Sequence, residues 1–177
     1  MATPRSLARA QWYGYGLGFE PVTYFDGGDA APQETLYETF RNRIEAARSR
    51  KTMFEMALDT AVTGIEGGNV RVGVRIKTLD TLVNDMNSLM LVPVLFLDSV
   101  GHYSLSGDTA YAPIAVEVIG GPWGVPARLR YATDFDTVFA VPAGNWREDR
   151  LGVAVFIQDT TTKQVMQTVV TRKLARQ

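Results

Sequence analysis

The hydrophobic pattern changes its period after Lys51, and this change restricts the fold more than any other feature. In "NVRVGVRIKT" (residues 69–78), apolar side chains occupy every second position. Such alternation is typical of a β-strand with one buried face. "TMFEMALDTAVTG" alternates in the same way, and "EGGN" between the two segments predicts a turn. The two segments are therefore expected to form a β-hairpin.

Further segments of strand length follow this hairpin and are separated by turn residues. They lie at residues 89–97, 113–119, 127–131, 137–141, 151–158 and 164–172. About eight strands without intervening helices predict a mainly β fold, an antiparallel β-sandwich rather than βαβ units. The predicted core consists of ten aliphatic side chains: Val72, Val74, Ile76, Leu91, Leu95, Val116, Val118, Val153, Val155 and Ile157.

The chain before Lys51 has a different character. Residues 1–33 are rich in glycine, proline and aspartate and contain one predicted strand at residues 21–25. In residues 33–50 the apolar positions recur at helical spacing, which predicts an amphipathic helix and the only helix in the chain. We therefore expect a short strand-helix segment at residues 1–50, followed by a sandwich domain at residues 51–177.

Composition excludes several classes of function. The chain of 177 residues has 18 basic and 19 acidic side chains without a basic block, which argues against nucleic acid as a partner. It has no cysteine, so disulfides, thiol catalysis and zinc ribbons are excluded. No signal peptide is expected in this chain, and the longest apolar run, "LMLVPVLFL", is too short to span a membrane.

Two patterns resemble catalytic or nucleotide-binding motifs without completing them. The alternate glycines within residues 14–18 are followed by a strand rather than by a helix, so we expect a structural turn there. Asp98, His102 and Ser104 are close in sequence and leave a hydrolase-like site open as an alternative. We place them in the loop of a hairpin, and we expect no catalytic residue.

The carboxylates are scattered along the chain. Asp134 and Asp136 are expected on one face of a strand or in one loop, where calcium is conceivable. A solvated acidic surface is the preferred interpretation. We expect no metal site and no cofactor.

Four aromatic residues are the candidate binding residues. Trp12, Tyr13 and Tyr15 are close together near the start of the chain, and Trp123 lies in "GGPWGVP". Such side chains can form a platform for a carbohydrate or a peptide, but large aromatic residues also pack at the ends of sandwiches. Both interpretations stay open for Trp12 and Trp123.

One stretch resembles a known family. "NWREDRLGVAVFIQDTTTKQVMQTV" (residues 145–169) resembles the closing hairpin of a bacterial outer-membrane lipoprotein family in which a thioredoxin-like domain precedes an antiparallel β-sandwich. The matching features are Trp146, the strand end Phe156-Ile157-Gln158-Asp159, Thr162-Lys163, Val165 and Gln167. "VPVLFLDSV" with "IAVEVIGGPWG" is similar to the central strands of that family.

The resemblance also suggests a structural interpretation of the first fifty residues. "ARAQWYGYGLGFEPVTYFDGG" and the following helix look like the end of a thioredoxin-like domain. Pro21 would then begin a strand, at the position that is cis in thioredoxin folds. Because the chain has no cysteine, the redox activity of such a domain does not carry over.

These observations predict a non-catalytic binding or scaffolding module of an exported or cell-surface bacterial protein. The resemblance implies an extracytoplasmic location, in the periplasm, at the outer membrane or on the cell surface. The alternatives are the hydrolase-like site and a carbohydrate-binding module that uses Trp12 and Trp123. The strand predicted at residues 21–25 would lack neighbouring strands, and the apolar helix stripe of Leu36, Phe40 and Ile44 would lack a packing partner. We therefore expect a homodimer through residues 12–50.

Overall fold

The computed structural model describes residues 4–13, 22–25, 29–32, 37–103, 109–144, 146 and 148–176. The helices are α1 (Pro4–Trp12) and α2 (Tyr37–Arg48). The strands are β1 (Val22–Phe25), β2 (Asp29–Pro32), β3 (Phe54–Glu66), β4 (Asn69–Thr78), β5 (Leu89–Tyr103), β6 (Thr109–Val118), β7 (Val125–Pro126), β8 (Asp134–Pro142), β9 (Leu151–Asp159) and β10 (Val165–Thr171). Short 3₁₀ turns occur at Thr81–Asp85 and Glu148–Arg150.

Two antiparallel sheets form the sandwich. One sheet has the strand order β3-β4-β8. The other has the order β10-β9-β5-β6, and β7 pairs with the first residues of β5. A separate two-stranded sheet joins β1 to β2. The predicted mainly β fold and its antiparallel sandwich are confirmed.

The core lies between the two large sheets. In β4, the side chains of Val70, Val72, Val74 and Ile76 are all buried, as the alternation requires. Nine of the ten predicted core residues are buried, and the tenth, Val116, is partly buried and packs against the cluster. The phases predicted for β4, β5 and β9 are therefore correct, whereas Val118 is buried outside the core cluster.

The sheet that contains β5 and β9 is buried on both faces along these strands. Leu91, Val92 and Leu95 of β5 are inaccessible to solvent, although neighbouring residues of a strand point to opposite faces. This double burial explains why the sequence of β5 is a continuous apolar run rather than an alternating one.

Two segments differ from the sequence-based predictions. The strand expected at residues 127–131 does not form, because β7 ends at Pro126 and only the Ala127 N–H still donates to the Leu89 carbonyl of β5. Strand β5 extends to Tyr103 and β6 begins at Thr109, so His102 lies in a strand rather than in the predicted loop.

The N-terminal elements agree only in part with prediction. Helix α2 lies within the predicted residues 33–50, and β1 coincides with the predicted strand. The sequence pattern did not predict α1, a helix of nine residues in the region where we expected irregular chain. Strand β1 pairs with β2, which was not predicted either.

Two expectations for the N-terminal half are not tested by these elements. Pro21, with its expected cis peptide, lies outside the described residues. The division of the chain near Arg50 stays a prediction. Among the described residues, no helix is long and apolar enough to cross a membrane.

Candidate functional site

Three of the four candidate aromatic residues come together where α1 meets the sandwich. The ring centroids of Trp12 and Trp123 are 5.1 Å apart in an edge-to-face arrangement. The rings of Trp12 and Tyr13 are 5.0 Å apart. Tyr15 lies outside the described residues. We call Trp12 and Trp123 the tryptophan pair, and a ligand-binding role for these residues stays a prediction.

Trp123 lies in a turn that is anchored on β5. The Ile119 N–H donates to the Pro93 carbonyl at 2.9 Å, and the Gly124 N–H closes the turn on the Gly121 carbonyl at 3.1 Å. A Cβ added to Gly124 would lie 2.2 Å from the Leu91 carbonyl oxygen, so only glycine fits this close approach. The turn therefore holds Trp123 in a defined place, with 38% of its surface exposed.

Arg9 is the cation at the centre of the contact between α1 and the sheet. Its guanidinium carbon lies 5.2 Å from the ring centre of Phe156 on β9, and one of its nitrogens donates to the Pro122 carbonyl at 2.8 Å. Burial lowers the pKa of Arg9 from its ordinary value, although Tyr13 opposes this shift. Guanidinium groups stay protonated in proteins, so a charge sits within the aromatic cluster.

Gln158 links α1 to the end of β9. Its Oε1 accepts a hydrogen bond from Arg9, and its Nε2 donates to the Tyr13 hydroxyl at 2.5 Å and to the Lys163 carbonyl at 2.6 Å. Only 1% of its surface is exposed. Because a buried amide without partners would cost about 1–3 kcal/mol, this set of bonds favours the docked helix.

Two further contacts hold the ends of α1. The Lys163 ammonium donates to the Trp12 carbonyl at 2.7 Å and lies 5.4 Å from the Trp12 ring centre, so it satisfies and neutralises the C-terminal end of the helix. Near the other end, Arg5 pairs with Glu117 of β6 and donates to the Val118 carbonyl. The helix is thus fixed at both ends.

Sequence reasoning missed the polar and cationic residues of this contact. Arg9, Phe156, Gln158 and Lys163 were not candidates, although the last three lie in the stretch that carries the family resemblance. One signal was available. A glutamine at the end of an apolar strand needs buried partners, and the apolar runs of β5 and β9 require a cover on the second face.

The chemistry of this cluster is suited to holding a ligand. An exposed indole offers an apolar face, and the Arg9 and Lys163 cations beside Trp12 supply hydrogen-bond donors. Trp12 and Gln158 are engaged in holding α1. Trp123 is the member of the tryptophan pair with the most surface left for a ligand.

The residues of the hydrolase-like alternative are placed only in part. Asp98 lies on β5 next to an irregularity in its pairing with β6, where Ser99 has a positive φ of 56°. The backbone of His102 pairs with Ala110 near the end of the same strand. The His102 side chain and all of Ser104 lie outside the described residues, so this site stays an untested prediction.

The two aspartates considered for calcium lie on the exposed face of β8. Asp136 accepts a hydrogen bond from Arg75 at 3.1 Å, and Asp134 is opposite Lys77 in the register of β4 and β8. Among the described residues, no group of three potential metal ligands comes together.

Comparison with known proteins gives similarity of fold. No family model matches the chain, and no curated protein matches it at the level of sequence. The structure of HBP35 of Porphyromonas gingivalis aligns over 96% of this chain with a TM-score of 0.69 and 12% sequence identity. The chain spans 57% of the length of that structure. A domain of the outer membrane lipoprotein Omp28 from Porphyromonas gingivalis aligns over 72% of this chain and 93% of its own length, with a TM-score of 0.49 and 15% identity.

Proposed function

We propose that this chain is a non-catalytic binding or scaffolding module of an exported or cell-surface bacterial protein. The observation that carries the proposal is the outer face of the β5-β9 sheet, where the chain builds a fixed aromatic and cationic surface around α1. Similarity of fold to HBP35 supports a sandwich that serves as a rigid support. The extracytoplasmic location is proposed from the family resemblance of residues 145–169.

The scaffolding part of the proposal concerns α1. This helix contacts β6 through Arg5, β9 through Arg9 and the β9–β10 turn through Trp12. The sandwich thereby fixes the position of α1 on its surface. A module of this kind positions a neighbouring segment of its own chain.

The binding part concerns Trp123, and a carbohydrate is the ligand class that its exposed indole favours. A sugar ring stacks on an indole held rigidly by a turn without the ordering cost of a mobile side chain. We expect the full chain to bind members of a bacterial glycan array, and Trp123→Ala to abolish this binding. A conservative Trp123→Phe change should retain part of it.

Tyr131→Ala provides the matched control, because Tyr131 is an exposed aromatic residue in a different loop. It should leave the array pattern unchanged. An array without signal would remove the carbohydrate class. Equal loss in the Trp123 and Tyr131 variants would remove the assignment to the tryptophan pair. Labelling of intact cells with a membrane-impermeant amine reagent tests for a cell-surface location, since an intracellular protein would stay unlabelled.

A further inference from the structure

A polar groove separate from the tryptophan pair lies between the residues around the 3₁₀ turn Thr81–Asp85 and the segment that follows β7. Its volume is about 640 Å³, within the range of small-molecule sites. The polar side chains that line it are Asn84, Asn87, Arg128 and Arg130. None of the lining residues is acidic.

One wall of the groove holds two arginines on the same side of an extended segment. Ala127 and Leu129 are buried in the core, whereas Arg128 and Arg130 are exposed. In extended chain, residues two apart point the same way with Cα atoms about 7 Å apart. The buried neighbours and the bond from the Ala127 N–H to Leu89 therefore fix the backbone from which these two arginine side chains extend on the same side.

The opposite wall, formed by residues around the 3₁₀ turn, is held by hydrogen bonds and by a buried side chain. Asp80 accepts a hydrogen bond from the Leu82 N–H at 3.1 Å at the start of the 3₁₀ turn, and Val83 is buried. The Asn84 Oδ1 accepts from the Tyr131 N–H at 2.9 Å, which ties the two walls together. Since this oxygen is engaged, the Asn84 amide is left with its Nδ2 hydrogens as donors.

The two cations of the groove are unpaired within the part of the chain that the structure describes. Neither Arg128 nor Arg130 makes an ion pair or a side-chain hydrogen bond with any described residue. Guanidinium groups bind carboxylate and phosphate oxygens through two parallel hydrogen bonds. We propose that this groove is a binding site for a small ligand that carries two oxyanion groups, either carboxylate or phosphate.

The test uses citrate and pyrophosphate as probes of the two oxyanion types. Each is titrated into the full chain at about 0.15 M salt, where interactions between exposed charges more than about 8 Å apart are largely screened. For one of the two probes, we expect binding heat in isothermal titration calorimetry. The same probe should shift the NMR signals of four backbone amides, those of Asn84, Asn87, Arg128 and Arg130. Replacing both arginines (Arg128→Gln with Arg130→Gln) should weaken binding by at least about tenfold, since two charged forks are lost. The probe that binds identifies the oxyanion.

Arg172→Gln is the matched control, because it removes an exposed arginine beyond β10. It should leave the affinity unchanged. Thermal melting of each variant establishes that it is folded. No binding of either probe to the folded wild type, or equal weakening in the double variant and in Arg172→Gln, would overturn the proposal. The glycan-array result for Trp123 is independent of this outcome.

Discussion

At the scale of single residues, Asp159 organises the turn between β9 and β10. It is buried, and its carboxylate accepts hydrogen bonds from the Ser88 hydroxyl at 2.6 Å, the Thr161 N–H at 2.8 Å and the Thr162 hydroxyl at 3.2 Å. Burial alone would raise the pKa of this carboxyl, but the hydrogen bonds from Ser88, Thr161 and Thr162 outweigh it and hold the pKa below its usual range.

Asp159→Asn should therefore destabilise the protein in a pH-dependent way. A carboxyl whose pKa is lower in the folded state contributes stability above its unfolded pKa of about 4, and this contribution is lost as the pH falls through the folded pKa. We expect a loss of about 1–2 kcal/mol at neutral pH that shrinks in acid, measured by urea unfolding. The exposed Asp85→Asn is the control. If the free energy of unfolding differs between Asp159→Asn and the wild type by the same amount at neutral and acidic pH, the charge of Asp159 is not the cause.

Gly124 is the residue on which the position of Trp123 depends. Its φ of +77° is strained for any residue with a side chain. An added Cβ would also lie only 2.2 Å from the Leu91 carbonyl oxygen. Gly124→Ala should cost at least about 2 kcal/mol of unfolding free energy and should shift the fluorescence of Trp123. Gly67→Ala, with φ of +56° and open space around it, should cost only about 1 kcal/mol. Equal costs would contradict the close-approach argument.

At the scale of elements, the sequence predicts the strands of the sandwich much better than it predicts the parts that surround it. β4 could be predicted because its period of two reports one buried face, and the phase of Val72, Val74 and Ile76 was correct. α1 could not, because a short helix is stabilised by tertiary contacts rather than by its own periodicity. Arg9 and Gln158 were not candidates, because their contacts exist only once α1 is packed on the sheet. Trp12 and Trp123 were candidates because of their residue type alone.

Val155→Asp tests the phase of β9. Val155 is inaccessible to solvent between the two sheets, so a carboxylate there would lack any polar partner. We expect a loss of more than about 4 kcal/mol, seen as an unfolded circular dichroism spectrum or a collapse of soluble yield. Val138→Asp on β8, where 51% of the valine is exposed, should melt nearly like the wild type. A stable Val155→Asp protein would show that the strand faces the other way.

Gln158→Leu tests the attachment of α1 without disturbing the core between the sheets. The change removes the partners of Arg9 and Tyr13, so we expect the sandwich to stay folded while the helix detaches. The readouts are loss of the tryptophan exciton signal in circular dichroism and faster amide exchange in residues 4–13. Gln167→Leu is the control, because that amide bonds Thr52 and Phe54 instead. An unchanged exciton signal in the Gln158 variant would mean that other contacts hold the helix.

At the scale of the whole molecule, the sandwich and the small N-terminal elements differ in how well their apolar surface is covered. The core between the two sheets is closed, and α1 lies on the outer face of β9. None of the described residues of α2 is buried, and a groove of about 670 Å³ separates the end of this helix from β10. Exposed large apolar side chains occur on both parts of the chain, and on α2 they are Tyr37 and Ile44.

The homodimer predicted through residues 12–50 is argued from the uncovered face of α2. Tyr37 and Ile44 lie on one face of α2 and are 76% and 49% exposed. In the part of the chain that the structure describes, β1 pairs only with β2, and a two-stranded sheet is marginally stable on its own in water. A second copy related by two-fold symmetry would cover the helix faces and extend the small sheets at once.

We expect light scattering and sedimentation equilibrium to give the mass of two chains. A double variant, Tyr37→Lys with Ile44→Lys, should weaken association by at least about tenfold, because two apolar contacts are replaced by charges of equal sign across the two-fold axis. Val138→Lys, which places the same charge on an exposed valine of β8, should leave the mass unchanged. A monomeric wild type over the whole accessible concentration range would contradict the dimer. A dimer that the double variant leaves intact would assign the contact to another surface.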